Sequence, residues 1–533
     1  MAAQSSSAEI LPLLNSSKNG ARVERSTGEG VDQVFLKITK RVVPICFLVA
    51  FLSHIDRTNL SLAAREFCSD LGLSSSAYGT GVGVFFVFYA AFQIPSNLAL
   101  EKLGAPRWMG FLMILWGLVA SCMAFVRTKS QFFFLRAVLG MAEAGTFPGM
   151  WLYLSSFFPE KHRTLPLALM ELGITLAQIF GSPIGAILLS LDNLLRWRGW
   201  QWLFFLEGLP SVLLGVWISF RLPAGPESAP YLSDCERKII QLEFAKGKEI
   251  KSEGVGVVER FKQVGWNRNL WMATLVKFLR NMTTDVALFW TPLWIHAMLS
   301  GNGLTITGSK HSSCGAANSS SHQDALVAGL TSIPFTCTAI TSIFLAWHSE
   351  KKQERKFHIG IAYITAAVVF VFLPIASEMG IIFGFVMLTV MLSACHGVSG
   401  ILVSLGSSYL TPETRAIGLA LLNSLGHLGG YFGSELMGIM VEQNGGYVEA
   451  ILVLSSLLTA AGLIVMVLPD GGQNTRASNN KIEGNLKNGD AGKQHSKPDH
   501  SAIHVPGRVV TAVRKKVDSE HLRGKETELV CVE

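Results

Sequence analysis

The strongest constraint in this chain is a recurrence. Twelve mostly apolar runs follow one another at 42–64, 78–100, 108–126, 132–157, 165–190, 201–221, 270–298, 325–347, 357–376, 380–403, 415–440 and 448–468. Each is about as long as a helix must be to cross a hydrocarbon core of roughly 30 Å. A chain patterned this way has few folds open to it. Lipid offers no hydrogen bonds, so the backbone must satisfy its own polar groups, and helices do so within the segment. Composition agrees: of 533 residues 49% are hydrophobic and 16% are charged, against about 25% charged in a soluble domain. Six runs precede a polar stretch and six follow it. The expected fold is an all-α membrane protein with 12 transmembrane helices in two six-helix bundles.

The expected organisation is a disordered N-terminal tail (1–40), a first bundle (41–221), a central loop (222–268), a second bundle (269–468) and a disordered C-terminal tail (469–533). Lys and Arg in the short connections, with those of the central stretch, place both tails and the centre in the cytoplasm. Within that centre, Ser233-Asp234-Cys235-Glu236 reads as a capping box opening a short surface helix. The connection 300–323 falls on the opposite side and carries a sequon at Asn318, a glycosylation candidate. The net charge of +7 sits in tails and connections, so no basic face for nucleic acid is expected. No two of the eight cysteines stand at metal-ligand spacing, and most lie inside apolar runs. Neither a metal, a cofactor nor a disulfide is expected.

An ionisable residue within a membrane helix is costly and marks function by default. The first run contains SHIDRTNLSLAA, with Asp56 and Arg57 near its middle. Adjacent helical residues point about 100° apart, so the two need not pair with each other; a structural ion pair to another helix is the competing reading. In the fourth run Arg136 and Glu143 are seven apart and share a face, and Gly140, Gly145 and Gly149 allow a neighbouring helix to come close. Tyr89 and Gln93 share a face of the second run and suit either a polar substrate or interhelical bonding. On the eleventh run Asn423 is one turn before His427, which either titrates near the site or packs as a core histidine. The seventh holds Lys277, Arg280 and Asp285. There Lys277 either supplies a second cation to the substrate or snorkels to the cytoplasmic face while Arg280 pairs with Asp285. After the second run, Glu101, Lys102, Gly104 and Arg107 form a charged turn, with an echo in WHSEKKQERKF after the eighth. Matching positions in two halves suggest an internal repeat and a cytoplasmic gating network.

Together these residues resemble the major facilitator superfamily, and within it the anion:cation symporter family, over about 35–470. The carrying features are Asp56-Arg57-x-Asn59, Gln93-Ile94-Pro95-Ser96-Asn97, Arg136 with Gly140 and Glu143, and Gly181-Ser182-Pro183-Ile184-Gly185. GWQWLFFLEGLPSVLLG, PESAPYLSDCER and LLNSLGHLGGYFG add to them. That family moves organic anions, usually with protons: sugar acids such as galactonate, tartrate, phthalate-type aromatics, allantoate, sialic acid. The resemblance implies that Asp56 and Glu143 couple protons and that Arg57 binds the substrate carboxylate. Tyr89, Arg136 and Asn423 would support the site, with Gln93, His427 and Lys277 secondary. It also implies a small organic anion, protons and the lipid bilayer as partners, and a monomer. The chain departs from the family at His427, where Asn is common, and at Glu435, where Pro is common.

The expected function is therefore proton-coupled symport of a carboxylate by alternating access. An uncoupled facilitator or exchanger is the nearest alternative; a membrane-embedded enzyme or receptor is distant, since HExxH, GxSxG and Walker patterns are absent from the sequence. The plasma membrane is favoured. An acidic dileucine pattern from Glu9 to Leu14 keeps a vacuolar or lysosomal exporter open.

Overall fold

The computed structural model describes residues 20–159, 162–248, 257–301, 304, 321–411 and 414–469. The chain divides into two units, 1–37 with 473–533 and 38–472. Of the first unit only the opening of one helix is described, and all that follows concerns the second. The regular structure of the described residues is entirely helical. The first half holds α1 (Gly20–Leu71), α2 (Ser75–Leu103), α3 (Ala105–Cys122), α4 (Lys129–Glu143), α5 (Thr146–Phe157), α6 (Thr164–Leu189) and α7 (Gly199–Arg221). Two surface helices follow, α8 (Asp234–Lys248) and α9 (Val257–Gly265). The second half holds α10 (Arg268–Leu299), α11 (Ser321–Lys352), α12 (Lys356–Met379), α13 (Ile381–Gly397), α14 (Ser399–Ser408), α15 (Arg415–Asn444) and α16 (Val448–Val467).

Three features depart from the sequence reading. Helix α1 begins at Gly20, inside the segment expected to be a disordered tail. Val31, Val34, Phe35, Ile38 and Val42 recur there at helical spacing, a period the tail's polarity hides. The fourth run is broken into α4 and α5. Pro148 has no N–H to return to Ala144, and the chain relaxes at Gly145 (φ −90°, ψ −6°) before the helix restarts. The tenth run breaks likewise at Val398 (φ −102°, ψ 10°) into α13 and α14. The capping box forms as read: Ser233 N–H donates to Glu236 Oε2 at 2.8 Å, and Glu236 N–H to Ser233 Oγ at 3.3 Å. Cys46, Cys68, Cys122, Cys337 and Cys395 are free, but Cys235 is disulfide-bonded, which the spacing gave no reason to expect. The C-terminal tail, Asn318 and the dileucine pattern lie outside the described residues.

Eight spans are long and apolar enough to cross a membrane by themselves. The remaining four are α1, α4 with α5, α10 and α15, and these carry the buried ionisable residues. Their cost is offset by packing. A Cβ on Gly140 would lie 2.3 Å from the Phe85 carbonyl oxygen, so only glycine lets α4 touch the backbone of α2. Across the halves α2 runs along α15 in the same way, with Gly79 against the Ser434 carbonyl and Gly438 against that of Ser75.

The halves also meet at the end opposite the α2–α3 turn, the outer end by the positive-inside count. Arg65 of α1 holds both carboxylate oxygens of Asp324 on α11, with Nε 2.6 Å from Oδ1. Ser76 N–H donates to Glu442 Oε2 at 3.0 Å, and the Tyr78 hydroxyl to the Phe289 carbonyl at 3.1 Å. The structure is thus closed at its outer end. Glu66 sits beside this bridge, past the apolar part of α1. Burial and the nearby Asp324 and Asp192 carboxylates push its carboxyl up to about 7.

Candidate functional site

The neighbours Asp56 and Arg57 diverge. Arg57 turns toward α4 and donates from Nε to Glu143 Oε2 at 2.8 Å. Its guanidinium lies 4.9 Å from the Tyr89 ring centroid and 5.2 Å from that of Phe85. Glu143 is fully buried and is the last residue of α4, at the helix break. Arg136 lies two turns back along α4, 2% exposed. Its Nε donates to the Gly81 carbonyl at 3.1 Å, and its guanidinium stacks 4.7 Å from Phe85 and 5.8 Å from Phe289. Phe85 thus stands between two guanidinium groups. Arg57 Nη2, Arg136 Nη2 and Glu143 Oε1 are all buried without a hydrogen-bond partner. Buried donors are nearly always satisfied, so orphans of this kind ask for a ligand or water.

Asp56 faces the other way. Its Oδ2 accepts from Trp116 Nε1 on α3, and its Oδ1 has no partner. It therefore lies behind the Arg57–Glu143 pair rather than beside it.

The second half answers with cations on neutral partners. Lys277 is 7% exposed and donates to Asn423 Oδ1, its stem lying over Gly426. It does not snorkel, because the missing side chain at Gly426 leaves a groove between α10 and α15. Arg280 binds Asn281 Oδ1 at 2.8 Å and Ser399 Oγ, and the Arg280–Asp285 ion pair weighed from the sequence does not form. Asp285 keeps one buried oxygen without a partner. The His427 ring stacks on Phe86 and meets Tyr89 edge-on at 5.4 Å, with Nδ1 unpartnered. Tyr89 therefore touches Arg57 on one side and His427 on the other, linking the halves. Gln93 accepts from Ser424 Oγ, also across the halves. Glu435 is half-buried with Oε2 unpartnered.

Of the charged turn, Lys102 and Arg107 are exposed, and Gly104 adopts φ +82°, a conformation that favours glycine. Glu101 ends α2, and its side chain is outside the description. The echo after α11 turns at Gln353 (φ 54°), where Glu354 holds His358, itself 2.7 Å from His348.

Two features escaped the sequence reading. Glu207 of α7 is buried, with neither carboxylate oxygen hydrogen-bonded. It is a lone acid in an apolar run, the same signal that marked Asp56. The Arg65–Asp324 bridge joins residues at the outer ends of the first and eighth runs, and helix alternation alone would have put them on one side.

Twelve spans in two bundles, closed at one end across the halves and ionisable at mid-depth, define a secondary active transporter of the multi-pass membrane class. The particular family follows from comparison. The Major Facilitator Superfamily profile matches residues 46–321, and the chain belongs to that superfamily. It is 33% identical to a "Putative tartrate transporter" of Agrobacterium vitis, over 82% of this chain and 94% of that one. It is 30% identical to the "Putative metabolite transport protein NicT" of Pseudomonas putida, over 85% and 98%. Among solved structures it resembles a bacterial homologue of the human lysosomal transporter Spinster (16% identity, TM-score 0.64, 81% and 96% covered). It also resembles a D-xylose–proton symporter (14%, 0.61, 81% and 98%). These are transporters, and the enzyme and receptor readings are set aside.

Proposed function

We propose that the chain is a proton-coupled symporter of a small organic anion bearing a carboxylate. The observation that carries this is the buried Arg57–Glu143 pair with orphaned polar atoms on both partners. A guanidinium fork matches a carboxylate, and here a carboxylate of the protein already occupies part of the fork. Protonating Glu143 weakens that bond and frees Arg57 for the substrate. Losing the substrate returns Arg57 to Glu143 and expels the proton. Substrate and proton then load together because each removes the other's competitor. Arg136 adds positive charge beyond Phe85, Tyr89 packs against the Arg57 guanidinium, and Asn423 with Lys277 contacts the anion from the second half.

In this reading the halves 41–221 and 269–468 rock about that site while the tails and the central loop stay cytoplasmic. The Arg65–Asp324 bridge breaks in the outward-open state. The protein works as a monomer in the plasma membrane. Its similarity to proteins described as tartrate and metabolite transporters supports an organic anion as cargo.

The test is uptake of radiolabelled organic acids into proteoliposomes, with and without an inward proton gradient, by wild type and Glu143→Gln. Gradient-stimulated uptake of an acid, lost in the variant, is the expected result. Equal uptake at both pH settings would leave a facilitator or exchanger.

A further inference from the structure

The carboxylates behind the substrate site form a series that the Arg57–Glu143 exchange does not use. Asp56 lies within electrostatic reach of Glu143 on α4, and Glu207 on α7 within reach of Asp56. Both are more than nine-tenths buried, and neither forms an ion pair. The neighbourhood is short of partners throughout. Asp56 Oδ1, both oxygens of Glu207, both amide atoms of Asn59 and Ser211 Oγ are buried and unbonded. Asn59, 1% exposed, stands beside Glu207. The surrounding helices supply no cation to balance the acids. α3 contributes Trp116, α6 contributes Ser182, α7 contributes Ser211, and the nearest positive charge, Arg57, is already on Glu143. Two acids buried without a counter-charge are tolerable only if protons neutralise them.

Resting on the proton-symport reading, we propose that Glu207 is a proton-carrying residue. It shares the coupling proton with Asp56, which relays it to and from Glu143. Each transfer is a simple exchange. The O–H bond of one carboxylic acid breaks, one forms on the neighbouring carboxylate directly or through water held by Asn59 and Ser211, and one unit of charge moves with it. The relay runs from α4 through α1 to α7, so the proton leaves the cavity by a route the organic anion cannot follow. Separate routes for the two cargoes let the proton stay bound while the anion dissociates.

The test compares wild type, Glu207→Gln, Glu207→Asp and Trp116→Phe in proteoliposomes with tartrate as the probe anion. Gradient-driven accumulation is measured beside counterflow exchange at equal pH. The expected result is that Glu207→Gln loses at least about tenfold more of accumulation than of counterflow, with the pH midpoint of uptake displaced, while Glu207→Asp recovers part of the accumulation. Accumulation, counterflow and midpoint all unchanged in Glu207→Gln would overturn the proposal. So would equal losses of accumulation and counterflow in both Glu207 variants, which is the behaviour of a packing residue. A requirement for sodium that Glu207→Gln removes would also overturn it and assign the acids to a metal cation. An infrared pH titration of purified protein needs no substrate. A protonated-carboxyl band present in wild type and missing in Glu207→Gln supports the proposal, and identical bands overturn it. If wild type moves no organic anion, the function proposed above fails while the infrared arm still decides the state of Glu207.

Discussion

The two halves hold their buried cations differently. In the first, Arg57 is bonded to an acid, Glu143, at 2.8 Å. In the second, Lys277 and Arg280 are bonded to neutral oxygens of Asn423, Asn281 and Ser399. A cation on a carboxylate can be switched by one proton. A cation on an amide or hydroxyl cannot, and it offers its charge continuously. The comparison teaches a division of labour: the first half supplies the proton-sensitive grip and the second a constant attraction.

That contrast can be broken most sharply at the grip. Arg57→Ala should reduce uptake about 10²–10³-fold, on the order of the 3–5 kcal/mol lost when one partner of a buried ion pair is removed. Lys277→Met should cost about tenfold or less and change the range of anions accepted, since neutral partners remain satisfied. Uptake assays across a panel of acids check both, and equal losses would end the distinction. The next largest effect is on stability. Glu143→Leu strands the Arg57 charge and should lower stability by about 3–5 kcal/mol. Asn423→Ala removes only one acceptor from Lys277 and should cost about 1–3 kcal/mol. Thermal unfolding in detergent measures both.

Smaller effects belong to the outer rim. Arg65→Ala removes the bridge to Asp324, and a cysteine placed at Ser76 should then react faster with a polar thiol reagent. The last prediction concerns pH. Glu66 has its carboxyl raised to about 7 in the folded chain, above its unfolded value. Its neutral form is the one the fold accommodates. Its contribution to stability is full below the unfolded value and is lost as pH rises through about 7. Outer-end closure should weaken between about pH 5 and pH 8, and Glu66→Gln should flatten that component. Melting temperature against pH for both proteins checks the sign.

The sequence shows the bundles well because twelve runs of spanning length admit few alternatives. It shows the helix interruptions poorly. The break after Glu143 depends on Pro148 sitting one turn beyond a glycine, and an apolar count passes straight through it. Buried charges were visible as residues but not as directions. The argument that Asp56 and Arg57 point about 100° apart is sound, yet only neighbouring helices decide which of them meets Glu143. Lys277 misled for a related reason: snorkelling is the rule for a lone lysine, and the groove that overrides it lies 149 positions later, at Gly426. Glu207 was legible by the criterion applied to Asp56 and was passed over because it lies inside a longer motif.

The glycines along α2 and α15 carry one more consequence. Knobbed helix faces mesh like gears, and turning one against the other means lifting every tooth. Gly79 and Gly438 leave the seam between the halves bare on one side at each crossing, a plain bearing in place of a gear. Rotation there passes through many poses of similar energy. The pace of the cycle is then set at the rim and the core, where ion pairs open and close, and even one added methyl group on the seam acts as a brake.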